Sequence, residues 1–449
     1  MPVLVTKSVP RTLIGMAFPM LAGTFAMNAY NLTDTWFISR LGTAPLAAMG
    51  FVFPVVMFLT CIARDIGSGV TALVSHAMGR HNTEDAARLV SHGTMLTLII
   101  TAVMSVGGYF LITPLFTRLG ADAETLPLIS QYMRTWYLGA VFMTIPMLGH
   151  GTLISAGAAK TVSKLMMIGT GLNVLLDPVL MFGYLGCPAM GIRGAALATV
   201  IAQGVSAVWL VLLLVNKYHL LTLRRWQVAE YLGSIRRITR FAVPSILSMI
   251  LMPISLAVIT RLISGFGQEA VAATGAAGRL EMFAFMVPMA LGISLTPFIS
   301  QNFGAGRLDR VREAYRFSTL FAIIYGGGIA VAFFLAAPWM ASVFTEDPAV
   351  VPTFILYIRI IAFGYGMMEV HRYCCFFLTG MHKPISSTLL NAVRVLVLLL
   401  PLSFAGAHLG GITGIFAGRL ATDIAAGLVG LVAAALAIRQ LQRKAATTG

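Results

Sequence analysis

The sequence predicts an all-α polytopic membrane protein with twelve transmembrane helices in two pseudo-symmetric six-helix lobes. Of its 449 residues, 58% are hydrophobic and only 10% are charged, and the mean hydropathy is +0.87, a balance that excludes an ordinary water-soluble globule. Apolar runs of about 20 residues, the length of a helix that crosses the hydrocarbon, recur along the whole chain. Alternating barrel-strand patterns are absent, so helices are the expected spanning elements.

The net charge of +15 is distributed unevenly between the loops. If the N-terminus is inside, most Lys and Arg residues fall in cytoplasmic segments, and the opposite side holds only Arg40, Arg118, Arg134, Arg193 and Arg261. This bias follows the positive-inside rule and predicts a multi-pass inner-membrane protein with both termini cytoplasmic. The positive charge therefore reflects topology, and no nucleic-acid partner is expected.

An internal repeat appears when the chain is compared with itself at a shift of 225 residues, the separation of Pro19 and Pro244. Identical residues then recur without a gap, including Ala47-Ala48 with Ala272-Ala273, Gly50 with Gly275, and Met57-Phe58 with Met282-Phe283. The duplication predicts an N-lobe at 1–216, a cytoplasmic linker at 217–240 and a C-lobe at 241–449. Six spans per copy insert both copies in the same direction, a transporter geometry that permits alternating access. A monomer is expected, because the two lobes already supply the interface that single copies would need.

Two carboxylates lie inside predicted spans of the N-lobe. Asp34 follows Asn28 and Tyr30 in the first span, and Asp177 lies four residues after Asn173, on the same helix face. The corresponding repeat positions, Ile259 and the region of Leu400, are apolar. If the two carboxylates converge, they form a proton or Na⁺ site, and Asn173, Tyr30 and Thr199 can complete its oxygen shell. The alternative is a buried structural hydrogen bond.

Pro19 lies near the middle of the first span, where it removes a helical hydrogen bond. It is therefore a candidate hinge in the helix that carries Asp34, with a static kink as the alternative.

The predicted spans of the C-lobe also contain charged residues. Glu281 and Glu369 are equally open to a role in a substrate cavity or in ion pairs. Arg419 and Asp423, four residues apart on one helix, are predicted to pair. The candidate substrate-cavity residues are Tyr30, Asn28, Tyr137, Glu281 and Glu369.

Pro19, Asp34, the run Asn173–Pro178 and the run Gly191–Thr199 resemble the multidrug and toxic compound extrusion (MATE) family, and the resemblance covers essentially the whole chain. It implies two six-helix bundles around a V-shaped cavity, and antiport of cationic or amphiphilic drugs in exchange for H⁺ or Na⁺. No other cofactor is implied, and the partners are small organic molecules and membrane lipids.

The residues of the N-lobe resemble the branch that is similar to DNA-damage-inducible protein F (DinF). That resemblance implies a protonation and cation site, which includes the ligands of a possible Na⁺ ion, at Asp34, Asn173, Asp177 and Thr199. It also implies bending of the first helix at Pro19.

One other function is open to a membrane protein of this kind, and a second is not expected. A flippase for a lipid-linked intermediate is the alternative within transport, and Arg64, Arg279, Arg372 and Arg394 in predicted spans keep it open. An intramembrane enzyme is not expected, because the sequence has no His-Glu-x-x-His, Gly-x-Ser-x-Gly or paired-Asp motif. The sequence therefore favours a secondary active transporter.

Overall fold

The computed structural model describes residues 3–222, 227–344 and 347–448, and all regular secondary structure within these ranges is helical. Residues 223–226 of the predicted linker lie outside the described residues, and the linker is helical from Val228 onward. The α-helices are α1 (Val9–Ser39), α2 (Thr43–Gly79), α3 (Thr83–Arg118), α4 (Thr125–Ser155), α5 (Ala159–Phe182), α6 (Ile192–Leu212), α7 (Val228–Ser264), α8 (Gln268–Ala284), α9 (Met286–Gly304), α10 (Leu308–Phe344), α11 (Val351–Ile361), α12 (Tyr365–Gly380), α13 (Pro384–Ala392) and α14 (Leu400–Thr448).

Several membrane-crossing segments of the second half are interrupted. Helices α8 and α9 meet at a 53° bend. A 3₁₀ turn at Ala362–Gly364 joins α11 to α12, and a π-helical segment at Val393–Leu399 joins α13 to α14. Interruptions of the α-helical hydrogen-bond pattern are tolerated at membrane depth where neighbouring helices, side chains, water or local 3₁₀ and π adjustments satisfy the freed backbone groups.

Helix α14 contains a reversal of the chain. Gly410 and Gly411 leave the helical region, and Gly411 has a positive φ of 59°, a conformation that glycine adopts without strain. The backbones of Gly406 and Gly414 pack against each other, and Gly418 packs against Leu402. These contacts are symmetric about Gly410, so the segments on either side run antiparallel.

The number of spans agrees with the sequence prediction. Ten helical stretches in the described part of the chain are long and apolar enough to cross a membrane, and the bent α8–α9 pair makes an eleventh. One of the ten runs from Pro384 to Arg443, and the reversal at Gly410 and Gly411 divides it into two. The all-α fold with six crossing segments in each half is therefore confirmed for these residues.

The chain divides into two compact units. Unit 1 comprises Met1–Thr6 and Gly15–Val243, and unit 2 comprises Lys7–Ile14 and Pro244–Gly449. In unit 1, a hydrophobic cluster that includes Ile38, Phe116, Met133 and Trp136 fixes the relative positions of its helices. In unit 2, the corresponding cluster includes Phe354, Tyr357, Tyr365 and Phe416.

Candidate functional site

A chain of polar side chains joins three helices inside unit 1. With the Asn173 amide nitrogen facing Asp177, Nδ2 donates to Asp177 Oδ2 at 3.1 Å and Oδ1 accepts from Thr199 Oγ1 at 3.3 Å. The Tyr30 hydroxyl lies 3.2 Å from Thr199 Oγ1 and can donate to it. Helices α1, α6 and α5 thus supply a connected set of polar groups that runs from Tyr30 through Thr199 and Asn173 to the Asp177 carboxyl group. The one hydroxyl proton of Thr199 is shared between Asn173 and the carbonyl of Ala195, 3.1 Å away. Three residues predicted for the coupling site are brought together here.

The Asp177 carboxyl group is fully buried, and Asn173 is only 2% exposed. The hydrogen-bond partner found for Asp177 is neutral. A buried carboxylate without a cationic partner is costly, so a proton or a bound cation would stabilise it here. The surroundings of Asp177 are therefore compatible with binding of a proton or a cation.

Asp34, the fourth predicted residue, lies one helical turn after Tyr30 on α1. Asp34 is close enough to Asp177 and Tyr30 for electrostatic interaction. Its Oδ1 atom is buried and has no hydrogen-bond partner within the described residues. An oxygen with unused acceptor capacity beside a second carboxyl group is suited to bind a proton or a hard cation such as Na⁺.

Tyr132 on α4 was not predicted from the sequence. Its side chain is buried, and it lies within the electrostatic field of Asp34, Tyr30 and Asp177. A neutral tyrosine in a mixed polar and apolar stretch, 130–135, gives no signal of function, and only the fold of unit 1 places it beside the carboxyl groups.

Helix α1 approaches α5 closely at Gly23, which lies between Pro19 and Asp34. A Cβ atom added at Gly23 would lie 3.3 Å from Ser163 Cα and 2.9 Å from Met166 Sδ. Glycine at this position allows the two backbones to approach each other. The contact ties the segment after the candidate hinge to the helix that carries Asn173 and Asp177.

Gly23→Leu is expected to separate α1 from α5 and destabilise the protein by about 1–3 kcal/mol, the usual cost of overpacking. Thermal unfolding of the purified protein in detergent measures the loss. Gly15→Ala is the matched control on the same helix, because a Cβ atom there meets nothing within 4 Å. Equal midpoints for Gly23→Leu and the wild type would contradict the close packing.

The remaining candidates in unit 1 lie outside this chain of polar groups. Asn28 Nδ2 donates to the Thr24 carbonyl at 3.1 Å on its own helix. Tyr137 is buried in the hydrophobic cluster, with its ring edge-on to Trp136. Both remain candidates for the substrate cavity.

Glu281 lies in a polar cluster of unit 2 in which both of its carboxylate oxygens accept hydrogen bonds. Arg419 Nη2 donates to its two carboxylate oxygens at 3.0 and 2.8 Å. The hydroxyls of Tyr357 and Tyr365 donate to Glu281 Oε1 at 3.2 and 3.3 Å, and Arg419 also donates to the Tyr357 hydroxyl. Glu281 is therefore a partner in an ion pair in this structure.

The predicted pair between Arg419 and Asp423 is wrong. Arg394 Nη2 donates to Asp423 Oδ1 at 2.8 Å, whereas Arg419 reaches Glu281 on another helix. Both arginines thus bind carboxylates on neighbouring elements. The prediction failed because i,i+4 spacing identifies only possible partners on the same helix face.

Glu369, the last candidate in unit 2, is buried, and Arg372 Nη1 lies 3.0 Å from its Oε1 atom.

A family model described as MatE matches residues 19–179 and again residues 244–405. The chain belongs to the MATE family. The two matches begin at Pro19 and Pro244, as the internal repeat predicts. Members of the family are transporters and not enzymes, which confirms that part of the prediction.

The alignments with similar proteins cover nearly the whole chain of this MATE protein. A FAD transporter of Shewanella oneidensis is 34% identical over 99% of this chain and 98% of its own length. Multidrug export protein MepA of Staphylococcus saprophyticus is 24% identical over 91% of this chain and 90% of its own. The crystal structure of the Vibrio cholerae MATE transporter VcmN in the bent form has a TM-score of 0.92 and 29% identity, with coverage of 96% of this chain and 98% of that chain.

Proposed function

We propose that this protein is an ion-coupled antiporter that exports small organic molecules by alternating access, with its coupling site in unit 1. The observation that carries the proposal is the convergence of Asp34, Tyr30, Asn173, Asp177 and Thr199. Binding and release of a cation or proton changes the charge of this buried cluster by a full unit, which is sufficient to favour one conformation over another.

The same cluster supports assignment to the DinF-like branch. Asp34, Asn173, Asp177 and Thr199 are the residues that this resemblance assigns to protonation and cation binding, and they would supply the oxygen ligands of a Na⁺ ion. Pro19 is proposed as the hinge of α1. Its bending would break the contact of Gly23 with α5 and move Tyr30 and Asp34 relative to that helix, because these residues follow Pro19 on α1.

Cationic or amphiphilic drugs are the first candidate substrates. The name of the Staphylococcus relative supports multidrug export. The exposed surfaces of both units carry many Met and Phe side chains, which adapt to ligands of different shapes. The proposed site for a coupling cation is compatible with exchange of one cation for another.

FAD is the second candidate substrate. The Shewanella relative named FAD transporter shares more identity over a longer span than the multidrug exporter does. FAD carries phosphate groups, so its binding requires a cationic side chain that is not already neutralised. This candidate is taken further in the next subsection.

The flippase alternative is less well supported by the charges in unit 2. Two of the four arginines that left it open are paired, Arg372 with Glu369 and Arg394 with Asp423. A cavity for a polyanionic lipid needs several free cations, and these pairs reduce their number.

We also propose that the protein is a monomer in the inner membrane with both termini cytoplasmic. The bias of Lys and Arg toward one set of loops supports this orientation. In a background without the four native cysteines, a cysteine placed near either terminus should then react with a membrane-impermeant thiol reagent only after the inner membrane is permeabilised.

The ion dependence can be tested with the purified protein in liposomes that contain either ethidium or FAD. A pH gradient and a Na⁺ gradient are imposed separately, and substrate efflux is followed with each. At least one gradient is expected to drive efflux well above that of protein-free liposomes, because the carboxyl oxygens of the cluster can bind either ion. Efflux that responds to neither gradient would contradict ion coupling.

A further inference from the structure

Helix α8 has two distinct faces in unit 2. The buried face carries Glu281 with alanines at Ala270, Ala273, Ala277 and Ala284. The opposite face is exposed and carries Ala272, Gly275, Arg279, Met282 and Phe283. Their spacing of three and four residues places these five side chains in one stripe along the helix. Unit 2 therefore leaves one face of α8 uncovered.

Arg279 is the charged residue of this stripe. Within the described part of the chain, its guanidinium group forms no hydrogen bond or ion pair. This distinguishes it from Arg372, Arg394 and Arg419, which bind carboxylates inside unit 2. Its charge is thus available to a ligand.

Arg279 lies within the bent α8–α9 segment, which is long and apolar enough to cross a membrane. It lies about 16 Å along the helix from Gln268, at roughly 1.5 Å per residue, and before the bend between α8 and α9. A guanidinium group that faces lipid within such a segment costs several kcal/mol, so such residues face water-filled cavities. The exposed face of α8 is therefore best explained as a cavity wall.

The internal repeat provides a comparison for this face. Helix α2 of unit 1 carries Ala47, Gly50, Met57 and Phe58 at the positions of Ala272, Gly275, Met282 and Phe283, and all eight residues are exposed. The position of Arg279 is taken by Pro54. The two units thus share small and apolar side chains on this face, and only unit 2 adds a cation.

We propose that Arg279 binds a phosphate group of an anionic substrate that also carries a flat aromatic ring, as FAD does. Its planar fork of N–H donors matches two phosphate oxygens. Phe283, one turn further along the stripe, offers a face on which the ring stacks. A Cβ atom added at Gly275, one turn before Arg279, would meet nothing within 4 Å, so the space beside the guanidinium group is open.

This inference rests on the proposed function of the protein as an exporter and selects FAD from its two candidate substrates. It assigns different tasks to the two units. Asp34 and Asp177, which lack acidic counterparts in unit 2, couple transport to an ion, and Arg279, which lacks a basic counterpart in unit 1, recognises the substrate.

The test compares the binding of three flavins to the full-length protein in detergent, measured by quenching of flavin fluorescence. FAD and FMN carry phosphate, whereas riboflavin does not. Arg279→Gln should weaken the binding of FAD and FMN by about tenfold or more, since a charged hydrogen bond is lost. Riboflavin affinity should change less than twofold. Arg279→Lys should retain part of the FAD affinity, because it keeps the charge and loses the fork.

The control is Arg359→Gln, which removes an exposed arginine of the same unit that packs on the ring of Phe334. It should leave the affinities for all three flavins unchanged. Three results would overturn the proposal: no FAD binding by the wild type, an equal loss of riboflavin affinity in Arg279→Gln, or an equal loss of FAD affinity in Arg359→Gln. Added phosphatidylglycerol provides a further arm, and its Arg279-dependent binding in preference to FAD would assign the site to a lipid headgroup and also overturn the proposal.

Failure of the proposed function is distinguishable from failure of this inference. Ion-driven efflux of ethidium by a protein that does not bind FAD would leave the exporter intact and remove the role of Arg279. Arg279-dependent FAD binding without ion-driven efflux would support the recognition site and contradict coupling.

Discussion

Asp34→Asn is expected to reduce ion-driven efflux to the level of protein-free liposomes. The asparagine amide has nearly the same shape as the carboxyl group, but it neither releases a proton nor neutralises a bound cation. Because Asp34 Oδ1 has no hydrogen-bond partner within the described residues, the substitution removes no identified structural contact. The measurement is efflux driven by whichever gradient is effective for the wild type.

The control is Asp122→Asn, which makes the same chemical change in an exposed loop. Asp122 Oδ1 accepts hydrogen bonds from the backbone N–H and the hydroxyl of Thr125, each at 2.8 Å, and asparagine also caps helices in this way. Efflux by Asp122→Asn should equal that of the wild type. Both variants should retain the wild-type unfolding midpoint, so that a loss confined to Asp34→Asn reports on coupling. Full efflux by Asp34→Asn would remove Asp34 from the mechanism.

The carboxyl groups of unit 1 could be recognised in the sequence because charged residues are rare in membrane-spanning segments. An ionisable residue in an apolar run is energetically costly. In the internal repeat, the position equivalent to Asp34 is the apolar residue Ile259. Spacing also placed Asn173 and Asp177 on one face. Tyr132 could not be found in this way, because a neutral tyrosine in a membrane span carries no comparable cost and its neighbours depend on tertiary packing.

The fold was also predictable, because the lengths of the apolar runs and the internal repeat determine most of it. The ion pairs of unit 2 could not be predicted from the sequence. The spacing of Arg419 and Asp423 indicates only that they share a helix face, whereas their partners, Glu281 and Arg394, come from other elements. The exposed position of Arg279 likewise depends on which face of α8 the core of unit 2 covers.

The second large effect is expected from Arg419, which neutralises Glu281 in unit 2. Arg419→Met should destabilise the protein by about 3 kcal/mol or more, because it leaves the Glu281 charge, 11% exposed, without its cationic partner. Tyr357 and Tyr365 still donate to the carboxylate, but two neutral hydroxyls offset a buried negative charge only in part. The measurement is the unfolding midpoint of the purified protein in detergent.

A double variant separates the ion pair from simple packing. Glu281→Gln in the Arg419→Met background removes the unpaired charge, and the midpoint should recover toward that of the wild type, since replacing both partners is much less costly than removing one. Arg359→Met is the surface control and should shift the midpoint little. If the double variant is no more stable than Arg419→Met, the loss arises from the packing of Arg419, and Glu281 is then not held as a charged partner. In that case Glu281 returns as a residue that can bind an organic cation, whereas recovery assigns it to the ion pair with Arg419 that stabilises unit 2.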